Sequence, residues 1–270
     1  MMRKLTADFI LNPNGQLLNK HTLVIEDDGK ILDLVPSVFD EAEEFKGILS
    51  PGFINTHCHL ELSHFKNKIH QHTGLDGFIN EFVQTRKNAE LSDLTSNEEA
   101  NEYMWKSGIQ AVGDICNNAS TFVLKNKSAI RYHSFIEIFS MSASDAAITF
   151  REGLHLLNQG KASHTNASLV PHAPYSCTTN LFEFIQNFHN ATNSKWCIHN
   201  QESSSENEMF LNASGKLLKM FSKKGIDMSW LIPSGTTSLQ TISKHFPLTS
   251  NILLVHNTYT SLTDIQFLKN

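Results

Sequence analysis

The alternation of hydrophobic and polar residues changes character near residue 50. Before that point, short β-rich runs are separated by turn residues, and "HTLVIEDDGKILDLV" places two runs around Asp28-Gly29, a pair typical of tight hairpins. From Pro51 onward, apolar runs of strand length alternate with helical stretches. The pattern therefore predicts a small β-domain over residues 1–50 and an α/β domain over residues 51–270.

Six strand-forming runs can be recognised in the larger part of the chain. They are "GFINTH", "GIQAVGDI", "IRYHSFIEIF", "ASLVPHAP", "SKWCIHN" and "NILLVHN". Strands that alternate with helices imply βαβ units and a parallel sheet. We therefore expect the start of a (β/α) barrel with about six βα units.

Histidines stand at the carboxyl ends of four of these runs. His57 and His59 follow the first, His172 the fourth, His199 the fifth and His256 the sixth. In a (β/α) barrel, the carboxyl ends of the strands form the face on which sites are built. Scattered surface histidines would not select strand ends, so the pattern predicts a functional site there.

The His57-Cys58-His59 spacing is suited to a metal. Residues i and i+2 of a strand point to the same side, so both imidazoles can face the interior while Cys58 points away. With His199 from the fifth strand they offer three nitrogens to one divalent ion, Zn²⁺ or alternatively Fe²⁺. The competing interpretation is that each is a hydrogen-bonded core histidine.

Glu202 lies three residues beyond His199, where the chain leaves the strand. A carboxylate there can reach a metal-bound water without ligating the metal, as a proton shuttle must. The alternative is a solvated loop glutamate, which is our expectation for Glu206 and Glu208.

Two further histidines have candidate roles. "VPHAPYSC" places His172 between two prolines that fix the backbone, which suits either a substrate contact or a structural turn. His256 ends the apolar run "LLVH", where it could hydrogen-bond a metal-bound water or polarise a substrate.

Composition narrows the class of protein. The 270 residues are 40% hydrophobic and 18% charged with a net charge of −5, and the scattered Lys and Arg residues give no footprint for nucleic acid. Apolar runs are too short to span a membrane or to form a signal peptide. The four cysteines form no CxxC pair, which is typical of reduced thiols and not of a disulfide framework. We expect a cytoplasmic protein with a small-molecule partner, and the sequence leaves open whether it forms a homo-oligomer.

Missing motifs narrow the chemistry. The fourth strand offers no lysine for a bridge between two metals, which favours a single ion. The H-x-E…P-C-x-x-C signature of another class of zinc deaminases is absent, as is a GxSxG elbow.

Four segments together resemble the amidohydrolase superfamily, in its branch of chlorohydrolase-like and purine- or nucleoside-type deaminases. They are "LSPGFINTHCHLELSH", "VPHAPYSC", "HNQESSSENEMFLNASG" and "LLVHNTYTSLTD". "HCHLELS" is more similar to the aminodeoxyfutalosine deaminase-like members than to the other deaminases. The resemblance implies a TIM-barrel-type fold preceded by part of a β-sandwich.

The resemblance also implies roles for individual residues. The metal ligands would be His57, His59 and His199, with Glu202 as the acid/base and His256 orienting the hydrolytic water. Candidate substrate contacts would be His172, Glu61 and Ser63.

One departure from the family concerns its remaining metal ligand, an aspartate after the eighth strand. Only six strands can be counted, so we expect a C-terminally truncated barrel with an open edge beside His256, no carboxylate facing the histidines from that side, and poor activity on its own. Neither Asp264 nor Asp114 is promoted to ligand; both are expected to be structural.

Three functions follow from these residues. The first is hydrolytic deamination of a purine, a nucleoside-like compound or another N-heterocycle through a metal-activated water. The second is another hydrolysis at the same centre, either dechlorination or amide cleavage, which chloride or carboxylate release would distinguish from ammonia release. The third is a non-catalytic fragment or metal-binding pseudo-enzyme.

Overall fold

The computed structural model describes residues 2–88, 94–163, 166–246, 248–249 and 251–269. It separates into two compact units, one that ends at Phe53 and one that begins at Ile54. Among the described residues, only the second unit contains helices.

The first unit is a five-stranded sheet of β1 (Met2–Leu11), β2 (Leu17–Leu18), β3 (Thr22–Glu26), β4 (Ile31–Val35) and β5 (Glu43–Leu49). β1 pairs antiparallel with β2 and β3 and parallel with β5. β3 and β4 form the predicted hairpin, in which Gly29 has a φ of +88° and donates its N–H to the Glu26 carbonyl. The described residues of this unit form one sheet, so the sandwich arrangement stays a prediction.

The strands of the second unit coincide with the six predicted runs. A four-stranded sheet contains, in chain order, β6 (Phe53–Cys58), β7 (Ile109–Cys116), β8 (Arg131–Ile138) and β9 (Asn166–Pro171). A parallel pair consists of β10 (Trp196–Asn200) and β11 (Ile252–His256). β7, β8 and β9 run parallel, as expected, and the His199 N–H donates to the His172 carbonyl at 2.9 Å, which links β10 to the end of β9.

The outer strands of the second unit are β6 and β11. Within the described ranges, β6 pairs with β7 alone and β11 pairs with β10 alone. The incomplete eight-stranded barrel therefore stays a prediction for this chain, while the parallel order of the strands brings their carboxyl ends toward one edge.

Helices fill the connections between these strands. Short 3₁₀ helices over Leu60–Phe65 and Pro174–Ser176 follow β6 and β9 directly. The α-helices of the described residues are α1 (Gly74–Asn88), α2 (Leu94–Lys106), α3 (Phe122–Lys127), α4 (Ala146–Ala162), α5 (Thr179–Thr192), α6 (Ser204–Asn212), α7 (Lys216–Lys223), α8 (Ser238–Ile242) and α9 (Leu262–Leu268).

The largest core lies between β8, β9 and the helices α4 and α5. Ile136 and Leu169 are fully buried on the strands, and Leu181 and Ile185 are fully buried on α5. Strands covered by helices on their faces are apolar over most of their length, which explains why these runs could be recognised in the sequence.

Gly153 allows α4 to approach the sheet closely. A Cβ built at this position would lie 2.6 Å from Cγ2 of Ile138 and 2.7 Å from Cδ1 of Leu169, closer than carbon atoms can pack. Glycine is thus required here by packing and not by backbone conformation.

We expect Gly153→Ala to destabilise the protein even though alanine favours helices. Overpacking a core costs about 1–3 kcal/mol, whereas replacing a helical glycine by alanine contributes about 1 kcal/mol in the opposite direction. Urea unfolding should show a lower midpoint for Gly153→Ala. The exposed neighbour Glu152→Ala should stay within about 0.5 kcal/mol of wild type. A more stable Gly153→Ala variant would contradict this packing.

Candidate metal centre

Four imidazoles gather at the carboxyl ends of β6, β10 and β11. The ring of His57 lies 4.9 Å from that of His59, 4.8 Å from that of His199 and 5.5 Å from that of His256, between centroids. The Nε2 atoms of His59 and His199 are 3.3 Å apart. The structure therefore brings together the three histidines predicted as metal ligands, with His256 beside them.

The donor atoms fit a divalent ion. One ring nitrogen each from His57, His199 and His256 lie within 4.8 Å of one another. This set includes His256, which was predicted to orient water, and not the predicted ligand His59, whose Nε2 lies 3.3 Å from that of His199. In addition, Nδ1 of His57 is buried and has no hydrogen-bond partner among the described residues. An all-imidazole donor set suits Zn²⁺, Fe²⁺ and related metals.

Burial keeps these rings ready to donate a lone pair. Desolvation, followed by the charges of His199 and His59, lowers the pKa of His57 to about 3. Burial also lowers the pKa of His59 and of His256. Since the neutral imidazole is the ligating form, these three rings have the right protonation state for metal binding at neutral pH.

Glu137, near the end of β8, is a site residue that the sequence analysis missed. Its buried carboxylate lies 3.3 Å from Nδ1 of His199 and accepts a hydrogen bond from the Asn117 side-chain amide at 3.1 Å. Burial alone would lower the pKa of His199, but the hydrogen bond with Glu137 and its charge raise it on balance. The available signal was a glutamate near the carboxyl end of the otherwise apolar run "SFIEIF".

His172 lies next to this carboxylate and makes the contacts of the structural turn that was one of its two predicted roles. Its carbonyl accepts Nδ1 of His199 at 3.0 Å, and its own Nδ1 is 2.6 Å from Oγ of Ser176. Its ring centroid lies 5.7 Å from that of Phe139, a half-exposed side chain that follows β8. Burial lowers the pKa of His172 to about 4. The turn contacts are established by these hydrogen bonds, whereas a substrate contact stays a prediction.

Glu202 faces His256 across the pocket. Its Oε1 lies 3.6 Å from Nε2 of His256, and both side chains are about one-third exposed, at 28% and 32%. The Glu202 carboxylate therefore lies close enough to the histidine cluster to accept a proton from a water molecule bound there. Because this carboxylate comes from the loop after β10, the absence of a carboxylate on the open side of His256 stays a prediction.

The prediction that Glu206 is solvated is wrong. Glu206 is fully buried on α6, where its carboxylate accepts the backbone N–H groups of Gln201 (2.9 Å) and Glu202 (3.0 Å). Burial raises the pKa of Glu206 to about 7. Its backbone N–H donates to Oγ of Ser203, the N-cap of α6. Glu206 therefore fixes the backbone from which Glu202 projects, while Glu208 is half-buried.

Glu61 and Ser63, the other predicted substrate contacts, are engaged in the turn after β6. The buried carboxylate of Glu61 accepts the backbone N–H groups of Asn117 and Asn118 at 3.2 and 3.3 Å, and burial raises its pKa to about 7. Oγ of Ser63 donates to the Leu60 carbonyl at 2.7 Å. A role in contacting substrate stays a prediction for both.

The backbone around His256 takes a conformation unusual for non-glycine residues. His256 and Asn257 have φ values of +74° and +50°. The Asn257 N–H donates to the Asn200 carbonyl at 2.9 Å, and the Asn200 amide donates to Oδ1 of Asn257 at 2.9 Å. Hydrogen bonds to the end of β10 therefore hold the left-handed turn that presents His256.

The two aspartates not assigned to the metal are buried elsewhere. Asp114 forms an ion pair with Lys125 at 2.5 Å and accepts the Leu60 N–H at 2.7 Å. Asp264 completes the capping box of α9 with Ser261. Their contacts are structural, as the sequence analysis expected.

Comparisons with known proteins identify the family of this chain. The model of the amidohydrolase family matches residues 48–270. Aminodeoxyfutalosine deaminase of Nitratiruptor sp. is 25% identical over 222 residues, covering 80% of this chain and 54% of that protein. 5'-deoxyadenosine deaminase of Methanococcus maripaludis is 25% identical over 224 residues, covering 78% and 52%. The chain thus spans about half the length of the curated relatives it matches.

Solved structures show the same fold. Helicobacter pylori aminofutalosine deaminase in complex with methylthio-coformycin superposes with a TM-score of 0.81 at 23% identity, covering 99% of this chain and 67% of that one. Guanine deaminase from C. acetobutylicum with bound guanine gives 0.71 at 16% identity, covering 100% and 65%. In the part of the chain that the structure describes, no helix has both the length and the apolar character needed to cross a bilayer. The chain belongs to the amidohydrolase family.

We expect the protein to bind one equivalent of zinc through these histidines. His59→Ala removes an imidazole from the cluster and should weaken zinc binding by more than the 10–100-fold typical of losing an outer contact. Competition with a chromophoric chelator measures the dissociation constant. His155→Ala removes an exposed histidine of α4 and should bind zinc like wild type. Equal affinities in the two variants would contradict the site.

The stability that the buried neutral His57 and His172 contribute to the metal-free protein should be lost as the pH is lowered from 6.5 toward 4, while the raised pKa values of Glu61 and Glu206 act in the opposite direction. The folded-state pKa values of His57 and His172, about 3 and about 4, lie below the usual 6.5, so the unfolded chain binds more protons in this window. Each such group lowers the unfolding free energy by about 1.4 kcal/mol per pH unit. Urea titrations with EDTA should show a shallower pH dependence for His57→Gln. The same slope in both proteins would count against a buried neutral His57.

Proposed function

We propose that this member of the amidohydrolase family hydrolytically deaminates a purine, a nucleoside-like compound or another N-heterocycle. The observation that supports this most directly is the cluster of four imidazoles with the Glu202 carboxylate 3.6 Å from Nε2 of His256. The matched relatives are named as deaminases of aminodeoxyfutalosine and 5'-deoxyadenosine. We therefore propose 6-aminopurine nucleosides as the first substrates to test.

His57, His59 and His199 would hold the ion, zinc or alternatively iron. A divalent ion held in this way lowers the pKa of a water molecule from 15.7 to about 7. Burial lowers the pKa of His57 and His59, which keeps these two rings neutral. Nδ1 of His199 faces the His172 carbonyl, which leaves its Nε2 free to bind. His256, the most exposed of the four rings, is placed to hydrogen-bond the attacking oxygen.

Glu202 would move the proton. Its carboxylate would accept one proton from the attacking water and return it to the leaving nitrogen. The other proton of the water would end on the adjacent ring nitrogen, so that C(NH₂)=N and water become the lactam C(=O)–NH and ammonia. The two backbone hydrogen bonds to Glu206 hold the start of this loop, which limits the positions that the Glu202 carboxylate can take. Preorganised placement is what makes an acid/base group effective.

The substrate would enter from the carboxyl ends of the strands, where His172, Glu61 and Ser63 are the proposed contacts. Phe139 is half-exposed beside His172 and offers an aromatic face to a heterocycle. The proposed partner is therefore a small molecule, and the proposed location is the cytoplasm.

A product screen tests the reaction. Zinc-loaded protein should release ammonia from one or more of a panel of purines and 5'-substituted adenine nucleosides, measured by coupled assay and by the mass of the product. Release of chloride or a carboxylate from other substrates, without ammonia, would replace deamination by another hydrolysis. A protein that binds zinc but turns over nothing in either panel would favour the non-catalytic alternative.

We expect Glu202→Gln to lose turnover while keeping the metal. The amide preserves shape but cannot accept the proton, and positioned acid/base groups typically contribute about 10²–10⁴-fold to the rate. Turnover and zinc content should be measured on the same preparation. Glu208→Gln, on the helix that follows, is the matched control and should retain wild-type turnover. A Glu202→Gln variant with near-normal kcat would assign the proton transfer to another residue.

A further inference from the structure

Glu137 is a buried carboxylate without a cationic side chain of its own. Within the described residues, its one ion pair is with His199, and its Oε1 has no hydrogen bond of good geometry. Asp114, which is also buried, differs because Lys125 lies 2.5 Å away. A buried carboxylate whose facing side chains are imidazoles, which are charged only when protonated, is costly, by several kcal/mol in real proteins. The position of Glu137 therefore calls for a positive charge nearby.

The histidines are the groups that face this carboxylate. Ligand atoms of Glu137, His172 and His199 lie within 4.8 Å of one another. Of these, His199 also belongs to the metal cluster, where its Nε2 lies 3.3 Å from Nε2 of His59. His199 thus has one nitrogen toward the carboxylate and the other toward the candidate ion.

The hydrogen bonds of His199 determine which nitrogen carries the proton. Nδ1 faces two acceptors, the His172 carbonyl at 3.0 Å and Glu137 Oε1 at 3.3 Å. A ring that donates from Nδ1 keeps the lone pair of Nε2 free for a metal. Outer carboxylates and carbonyls that accept from a ligating histidine fix its tautomer and raise its basicity.

Asn117 holds Glu137 in this orientation. Its side-chain amide donates to both the carbonyl and Oε2 of Glu137 at 3.1 Å, which leaves Oε1 directed to His199. The backbone N–H of Asn117 in turn donates to Glu61 at 3.2 Å. Asn117, which follows β7, therefore orients the Glu137 carboxylate, and Glu61 in the turn after β6 holds the backbone of Asn117.

We infer that Glu137 is a positioning residue of the metal centre, which orients His199 through Nδ1 and supplies the negative charge that balances the bound cation. This inference rests on the metal centre of the proposed function. In this arrangement the ligands are all imidazoles, and the negative charge comes from Glu137, which contacts Nδ1 of His199 and does not bind the metal.

Zinc affinity tests the inference without requiring turnover. Glu137→Gln keeps the shape and still accepts from Asn117, but it removes the charge, and we expect zinc to bind about 10–100-fold more weakly. Glu152→Gln is the control, because it removes the same charge from an exposed position on α4, away from the metal centre. The control should bind zinc like wild type.

Melting of the metal-free protein separates this role from a structural one. Removing a buried charge that faces imidazoles and no Lys or Arg among the described residues should leave the melting temperature of metal-free Glu137→Gln unchanged or higher, while the increase produced by zinc becomes smaller. In the cobalt-substituted protein, the visible ligand-field bands should shift relative to wild type. A purely structural role would lower melting in the metal-free and metal-bound forms alike.

Two further variants keep the test decisive if Glu137→Gln fails to fold. Glu137→Asp retains the charge, and Asn117→Ala removes the amide that orients it; both should weaken zinc binding less than Glu137→Gln, but measurably. Wild-type zinc affinity in every soluble variant would overturn the inference and leave the proposed function intact. Wild-type protein that binds no zinc would overturn both.

Discussion

Buried carboxylates need hydrogen-bond donors, and three of them determine how the loops are held at the carboxyl ends of the strands, where the histidines lie. Asp114 takes the Leu60 N–H and thereby holds the turn that follows His59. Glu206 takes the N–H groups that precede Glu202. Glu137 takes the Asn117 amide and faces His199. Asp114 and Glu137 join strands to segments distant in sequence, and Glu206 joins α6 to the residues that follow β10, so the loops around the histidine cluster are tied to the core.

Much of this arrangement could be predicted because it follows from periodicity. The strands were recognisable as apolar runs, since helices cover them, and parallel strands present their carboxyl ends at one edge. Histidines at four of those ends therefore had to approach one another. The pairing of β10 with β11, with Asn200 opposite His256, is the physical reason that His199 and His256 meet.

The buried carboxylates could not be assigned in the same way. Glu206 follows a run of serines and looks like a solvated residue in the sequence, yet it is buried because its carboxylate caps the backbone ahead of α6. Glu137 was overlooked because its partners, Asn117 and His199, are 20 and 62 positions away and become neighbours only in the sheet. The alternation of apolar and polar residues predicts which face of a strand or helix a residue occupies. It does not predict hydrogen-bond partners that come together only through tertiary contacts.

The left-handed backbone at His256 and Asn257 restricts how this pocket can evolve. L-residues pay about 1–2 kcal/mol in that conformation, and asparagine, aspartate and glycine tolerate it best. β-branched and bulky side chains are therefore poorly accessible at these two positions, even where they would suit a new substrate. Phe139, which lies 5.7 Å from His172 between ring centroids, is outside this turn, so substitutions there carry no such backbone restriction.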